Sequence, residues 1–227
     1  MIVGVDVGGT NARALLVDPA TGGALGRRRS SSAGDGPTLV HGVARMVEGL
    51  WVEGTVEAVG LGIAGLVDRA GTLCYSPNLP DLTGFPIGPE LEEAVGVPVT
   101  VGNDASAATL AEARLGAGRG SDHFGLVTLG TGIGAGFVVD GRLLEGAHGF
   151  AGEAGHMVVD AHGPAHITGH QGPWEYFASG SALGRIGREA AATGGFDRGL
   201  GLAGSADGVT SHHVATALTE GDADAAS

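Results

Sequence analysis

The 227-residue chain predicts an α/β fold, and three observations carry that reading. Its first sixty or so residues read as βββαβ: two short apolar strands, a more exposed third, an amphipathic helix and a further apolar strand. Strand, glycine turn and strand then recur at Leu126 to Val139 in the order already seen at Ile2 to Val17. Between the two copies an alanine-rich helix opens on an Asn-Asp pair at a strand end. The copies share topology with little sequence identity.

Ile2 to Val7 is apolar and runs into Asp6-Val7-Gly8-Gly9-Thr10-Asn11, after which Ala12 to Val17 resumes as a partner strand. Asp18-Pro19 with Gly22-Gly23 makes the next turn, and Ala24 to Arg29 is a more exposed third strand. Pro37 to Glu53 sets Leu39, Val43, Met46, Val47 and Leu50 on one helical face. Val56 to Ile63 is a strand ending at Ala64-Gly65, and Leu73 to Tyr75 is a hairpin arm before the loop SPNLPDLTGFPI. Pro89 to Val95 reads as a short helix and Val97 to Val101 as a strand ending in Gly102-Asn103-Asp104. Ala105 to Leu115 is a helix that begins at that Asp. In the second copy, Leu126 to Leu129 breaks into GTGIGAG and resumes at Phe137 to Val139. Asp140-Gly141 then fits a two-residue hairpin turn, which needs positive φ at both positions. Trp174 to Ser179, Ala182 to Ala192 and His212 to Leu218 are expected helices, and Gly194 to Val209 an expected loop.

The formal net charge is −13, and all twelve basic residues are arginines. That balance argues against nucleic acid or an anionic membrane as a partner. A chain without lysine also lacks the residue that a Walker-type loop uses to reach the β- and γ-phosphates. One cysteine, Cys74, allows no internal disulfide and suits a reducing compartment. The start MIVGVDVGG carries neither the basic run nor the apolar length of a signal peptide, and no segment is long enough to span a bilayer. A cytoplasmic protein is the expectation.

Four constellations carry chemistry. Gly8, Gly9, Thr10 and Asn11 form a turn whose bare N–H groups and side-chain donors suit phosphate, with Asp6 beside them as a Mg²⁺ ligand. The run from Gly130 through Thr131 and Gly132 to Gly134 is a second such turn. It is not a dinucleotide fingerprint, because a strand follows it where that motif needs a helix. Asp104, next to Asn103 at a helix start, is a candidate general base and also a candidate N-cap. The helix N-terminus favours its ionised form. Asn78, Glu153, His156 and Glu175 supply the donors and acceptors that a polyhydroxylated ligand needs.

In this order, DVGGTN at Asp6, GIAG at Gly62, SPNLP at Ser76, GNDASAA at Gly102, LGTGIGAGFVVDG at Leu129, GFAGEAGHM at Gly149 and WEYFASGSAL at Trp174 resemble the ROK family of bacterial sugar kinases and repressors. The resemblance implies the two-lobed actin-like (ribonuclease H-like) ATPase fold of the hexokinase superfamily, with lobes over 1–115 and 116–227. It implies ATP-dependent phosphorylation of a hexose 6-hydroxyl, glucokinase-like, with Asp104 as base. Gly65, Asn78, Asn103, Asp104, Glu153, His156 and Glu175 are then expected at the sugar. Gly8, Gly9, Thr10, Asn11, Thr131 and Gly132 are expected at the phosphates, with Asp6 placing Mg²⁺. A kinase for an N-acetylhexosamine or fructose and a non-catalytic sugar-binding or regulatory protein are the alternatives. The family often forms dimers, so a homodimer is a further expectation.

Three departures qualify the resemblance. Family members commonly bind zinc through the motif histidine and three cysteines of a CxCGxxGC loop. Here that loop reads HITGHQGP, with His166, Thr168 and Pro173 where the cysteines stand. Thr and Pro cannot replace thiolates, so structural zinc is expected to be lost with His156 as its remnant, although His156, His166 and His170 are potential ligands. Family kinases continue through further helices and a glycine-rich strand, so the second lobe is expected to be truncated here. Family repressors carry a helix-turn-helix before the kinase-like part, and with none before Met1 a DNA-binding role is not expected.

Overall fold

In the computed structural model, which describes residues 1–51, 55–166 and 169–226, strands β1 (Ile2–Val7), β2 (Asn11–Val17) and β3 (Ala24–Ser31) form an antiparallel meander. Helix α1 (Gly36–Trp51) carries the chain to β4 (Ala58–Ile63), which pairs parallel to β1. The expected helix end at Val52 and Glu53 lies outside the described residues. A hairpin of β5 (Leu66–Val67) and β6 (Leu73–Tyr75), a short 3-10 turn and α2 (Ile87–Val95) lead to β7 (Val99–Asn103), parallel to β4. The sheet order is β3-β2-β1-β4-β7, the mixed α/β arrangement the βββαβ reading predicts.

Alternation decides which face is buried. Val3, Val5 and Val7 point to the core while Gly4 and Asp6 point away, the period-two pattern of a strand covered on one face. Leu39, Val43, Val47 and Leu50 from α1 fill the space against them, each at most 2% exposed. Burying a side chain of this size contributes about 1.5–3 kcal/mol.

Two elements shift from their expected bounds. Helix α2 starts at Ile87 rather than Pro89, because a proline in the first helical turn forfeits only an N–H with no intrahelical partner. Strand β7 runs over Val99–Asn103 instead of Val97 to Val101, since Pro98 has no N–H and its carbonyl instead receives the N–H of Val59.

Helix α3 (Asp104–Leu115) is followed by β8 (Phe124–Leu129), β9 (Ile133–Val139) and β10 (Arg142–Leu143), in sheet order β10-β9-β8. β9 begins four residues before the expected Phe137, so Gly134 and Gly136 belong to the strand. Asp140 and Gly141 take φ of 51° and 70°, as their hairpin turn requires. Helices α4 (Trp174–Ala178), α5 (Gly180–Ala192), α6 (Asp197–Ala203) and α7 (Ser211–Thr219) complete the described chain. Helix α6 lies where a loop is expected. Gly199 leaves room for the Phe196 ring, and burial of that ring overrides the low helix propensity of the glycines.

The chain packs as two compact units, Met1–Leu126 with Gly136–Gly152 and Val127–Ala135 with Glu153–Ser227. The first has an extensive apolar core of β1, β2, β4, α1 and α2; in the second, Ala191, Phe196, Val209, Val214 and Ala217 cluster around α5 to α7. Among the described residues no helix is long and apolar enough to cross a membrane.

Candidate functional site

In the first unit the expected residues gather at the carboxyl ends of β1, β4 and β7. Between β1 and β2 the chain reverses through Gly8, Gly9 and Thr10, with the Gly8 N–H donating to the Asn11 carbonyl at 3.0 Å. The N–H groups of Gly9 and Thr10 make no hydrogen bond among the described residues. Their carbonyl neighbours are tied down instead. Ser32, fully buried, donates its hydroxyl to the Gly8 carbonyl at 2.5 Å and its N–H to the Thr10 carbonyl at 3.2 Å. Ser32 was hidden in a bland SSS run, so nothing in the sequence marks it as the support of this turn.

Asn78 sits directly behind the turn. A Cβ built on Gly9 would lie 3.4 Å from the Asn78 carbonyl and 3.5 Å from its Cβ, so the two segments meet at ordinary contact distance. The loop carrying Asn78 is fixed by Ser76, which donates its hydroxyl to the Ala64 carbonyl at 2.8 Å and accepts the Leu79 N–H at 3.2 Å. Gly65 has φ of 138°, and a side chain there would collide with the Tyr75 carbonyl, so only glycine fits.

Asn103 is the N-cap of α3. Its Oδ1 accepts the Ser106 N–H at 3.0 Å, and its Nδ2 donates to the Gly65 carbonyl at 3.1 Å. The capping role weighed for Asp104 therefore belongs to its neighbour. Asp104 is the first helical residue, exposed, with Oδ1 accepting the Ala105 N–H at 2.9 Å. Asp6 is also exposed, and its carboxylate has no hydrogen bond or ion pair among the described residues. Both carboxylates and Asn103 border a cavity of about 1230 Å³ on the open face of the sheet. Gly8 to Asn11, Gly65 and Asn78 do not line it.

In the second unit the Gly130-Thr131-Gly132 turn closes with the Gly130 N–H donating to the Gly132 carbonyl at 3.0 Å. Thr131 and Gly132 leave their N–H groups without a hydrogen bond among the described residues. Helix α5, N-capped by Ser179, docks on the turn through its first amides. Gly180 donates to the Gly130 carbonyl at 2.8 Å and Ser181 to the Thr131 carbonyl at 3.2 Å. Glu175 lies against the same turn, with Oε2 accepting the Ile133 N–H at 2.6 Å. A Cβ on Gly132 would run into that carboxylate. A residue expected at the sugar is thus held by a turn expected at phosphate.

Glu153 and His156 flank the 3-10 turn Ala154–His156, and His156 Nε2 lies 3.4 Å from Glu153 Oε2. His156 Nδ1 is buried with no hydrogen-bond partner among the described residues. His166 Nε2 approaches Glu175 Oε1 at 3.6 Å, so His156, His166 and Glu175 each offer a ligand atom within 4.8 Å of the others. His170 is outside this group, and Thr168 lies outside the described residues.

The first unit offers an N–H pair without a hydrogen bond among the described residues, an exposed carboxylate at a helix start and an amide; the second offers a like N–H pair with carboxylates and an imidazole, and such groups suit phosphate oxygens and hydroxyls. A family model described as the ROK family matches residues 2–227. The glucokinases of Streptomyces coelicolor and Thermotoga maritima are 36% and 37% identical, each aligning 97% of this chain with 70% of the relative. Among solved structures, the ROK family glucokinase from Streptomyces griseus, in complex with glucose and AMPPNP, is 39% identical. It superposes with a TM-score of 0.86 over 99% of this chain and 72% of that one. The fold is the actin-like ATPase fold of these neighbours.

Proposed function

The chain belongs to the ROK family, and from that premise we propose that it transfers the γ-phosphoryl group of ATP to the 6-hydroxyl of a hexose, as a glucokinase. The observation that carries this reading is Asp104. An exposed carboxylate at the first position of α3, with one oxygen on the Ala105 N–H, keeps its other oxygen free to accept a proton. Asp104 takes the hydroxyl proton as the sugar oxygen bonds to phosphorus and the bond to ADP breaks. General-base help of this kind accelerates a reaction by about 10²–10⁴.

Asn78, Glu153 and His156 accept and donate at the sugar hydroxyls. Asn103 orients the Gly65 carbonyl and the start of α3, placing Asp104. Glu175 keeps Oε1 for a hydroxyl while Oε2 holds the Ile133 N–H. The free N–H groups of Gly9, Thr10, Thr131 and Gly132 take phosphate oxygens, with the Thr10 and Asn11 side chains beside the first pair. Positioning of this kind supplies most of the catalysis in phosphoryl transfer. The Asp6 carboxylate, without a hydrogen bond or ion pair among the described residues, is a hard oxygen ligand that would hold Mg²⁺, and the ion would offset charge on the phosphate. The acidic balance supports small-molecule substrates, and the single cysteine supports a cytoplasmic setting.

A coupled assay of ADP release over a panel of hexoses tests the proposal. Glucose-dependent release is expected. Release with an N-acetylhexosamine or fructose in its place moves the assignment within the family. Calorimetric glucose binding with no release makes the protein a sugar binder and rejects the kinase reading.

A further inference from the structure

We propose that Ser32 is a positioning residue for phosphate, an inference that rests on the kinase reading: its hydroxyl holds the Gly8 carbonyl so that the Gly9 N–H faces the ligand. Two bonds run from Ser32 to this turn, and they differ in kind. Strands β2 and β3 stay in register up to the Asn11 and Ser31 pair. One step farther, the Ser32 N–H donates to the Thr10 carbonyl at 3.2 Å. That bond continues the ladder, and any residue except proline would supply it. The hydroxyl bond to the Gly8 carbonyl at 2.5 Å belongs to no ladder. It reaches beyond β2 to the residue that follows β1, and only a side chain with a donor can make it.

The geometry of the peptide unit converts that bond into a direction. Gly8 and Gly9 have no Cβ atoms, so sterics leave the peptide between them unusually free to rotate. Every described peptide bond is trans, and the carbonyl and N–H of one trans unit point opposite ways. A Gly8 carbonyl drawn toward Ser32 therefore turns the Gly9 N–H away from Ser32. Ser32 is fully buried and Gly9 is exposed, so that direction leads outward. The Gly9 N–H makes no hydrogen bond among the described residues, and a phosphate oxygen would complete it.

Ser32 is fixed without help from a ligand. On one side β3 is paired with β2. On the other, Asp35 Oδ1 accepts the Thr38 N–H at 3.0 Å at the start of α1. The hydroxyl is in place before phosphate arrives, and an amide aimed in advance loses little freedom on binding.

Calorimetric titration with AMPPNP and Mg²⁺, and separately with glucose, tests the proposal on wild type, Ser32→Ala, Ser31→Ala and Leu50→Ala. Ser32→Ala is expected to weaken AMPPNP about fivefold, the size of one ordinary hydrogen bond, with glucose affinity near wild type. The loss stays that small because the ladder bond and the core under β1 and β2 remain. Ser31 is exposed and its hydroxyl accepts the Ala33 N–H at 3.1 Å, while Leu50 is buried near the end of α1. Both of those variants keep both affinities. Circular dichroism checks folding, and Ser32→Cys, similar in size with a weaker donor, replaces the alanine variant if that one does not fold. Wild-type AMPPNP affinity in the Ser32 variant overturns the proposal and leaves the kinase reading in place. So does an equal loss of glucose affinity, or the same AMPPNP loss in Leu50→Ala, since either makes Ser32 a general support. Wild type that binds no AMPPNP overturns the kinase reading and the role of Ser32 together.

Discussion

The turn at Gly8 to Asn11 and the turn at Gly130 to Gly132 each leave two successive N–H groups without a hydrogen bond among the described residues, yet different forces hold them. The first closes an antiparallel pair whose strands are buried in the large apolar core, and the buried Ser32 ties its carbonyls from behind. The second is held by polar tethers, from the first amides of α5 and from Glu175 to Ile133. Ile133 and Ala182 are buried beside it, and a small apolar cluster lies farther along the helices. Each turn has a polar residue assigned to the sugar behind a glycine, Asn78 at ordinary contact distance from Gly9 and Glu175 in the space that a side chain on Gly132 would take. The first arrangement rests on the larger apolar core, and the second leans more on hydrogen bonds between segments. The second is therefore the one that a single polar change alters more readily.

The largest expected effect leaves both turns intact. Asp104→Asn lowers kcat by about 10²–10⁴ while calorimetric sugar affinity stays near wild type, and undiminished turnover removes Asp104 as the base. Next comes the small core of the second unit. Phe196→Ala costs about 3–5 kcal/mol in chemical denaturation and raises KM for ATP, because α5, whose first amides hold the turn, loses the ring packed near its Gly187. Leu50→Ala, in the larger core, costs about 2–5 kcal/mol with KM for ATP unchanged. Equal KM changes in the two variants contradict the contrast between turns.

Gly132→Ala pushes the Glu175 carboxylate off Ile133 and lowers kcat/KM about tenfold, equivalent to about 1.4 kcal/mol. Gly9→Ala, which meets Asn78 only at ordinary contact distance, changes it much less. A larger effect at Gly9 reverses the proposed difference. The smallest effect is on acid stability. Hydrogen bonds from Thr38 hold the Asp35 carboxyl below its usual 3.8, and those from Ala20 and Thr21 do the same for Asp18. A lowered folded pKa means the contribution is full above the unfolded value and lost as pH falls through the folded one. Asp35→Asn therefore flattens the fall of Tm on acidification below about pH 4, and an unchanged slope contradicts this account.

Strand–turn–strand at the N-terminus was legible because alternation, glycines and a terminal Asp all point to one geometry. The same signals read the second turn correctly but not its length. Glycine can sit in a strand where another element approaches, as Gly136 does against Thr109. Which of Asn103 and Asp104 caps α3 depends on a one-residue phase that composition cannot set. Helix α6 was invisible because its glycines argue against a helix, and only the burial of Phe196 explains it. The grouping of His156 and His166 with Glu175 rather than His170 required the fold, since the sequence offers several histidines at similar spacing.

Phosphorus NMR of the products from ATP and glucose tests the central claim most directly. The account predicts a hexose 6-phosphate formed in equal amount with ADP, and none in Asp104→Asn. ADP accompanied by free phosphate instead of a sugar phosphate, or phosphate on another hydroxyl, contradicts it.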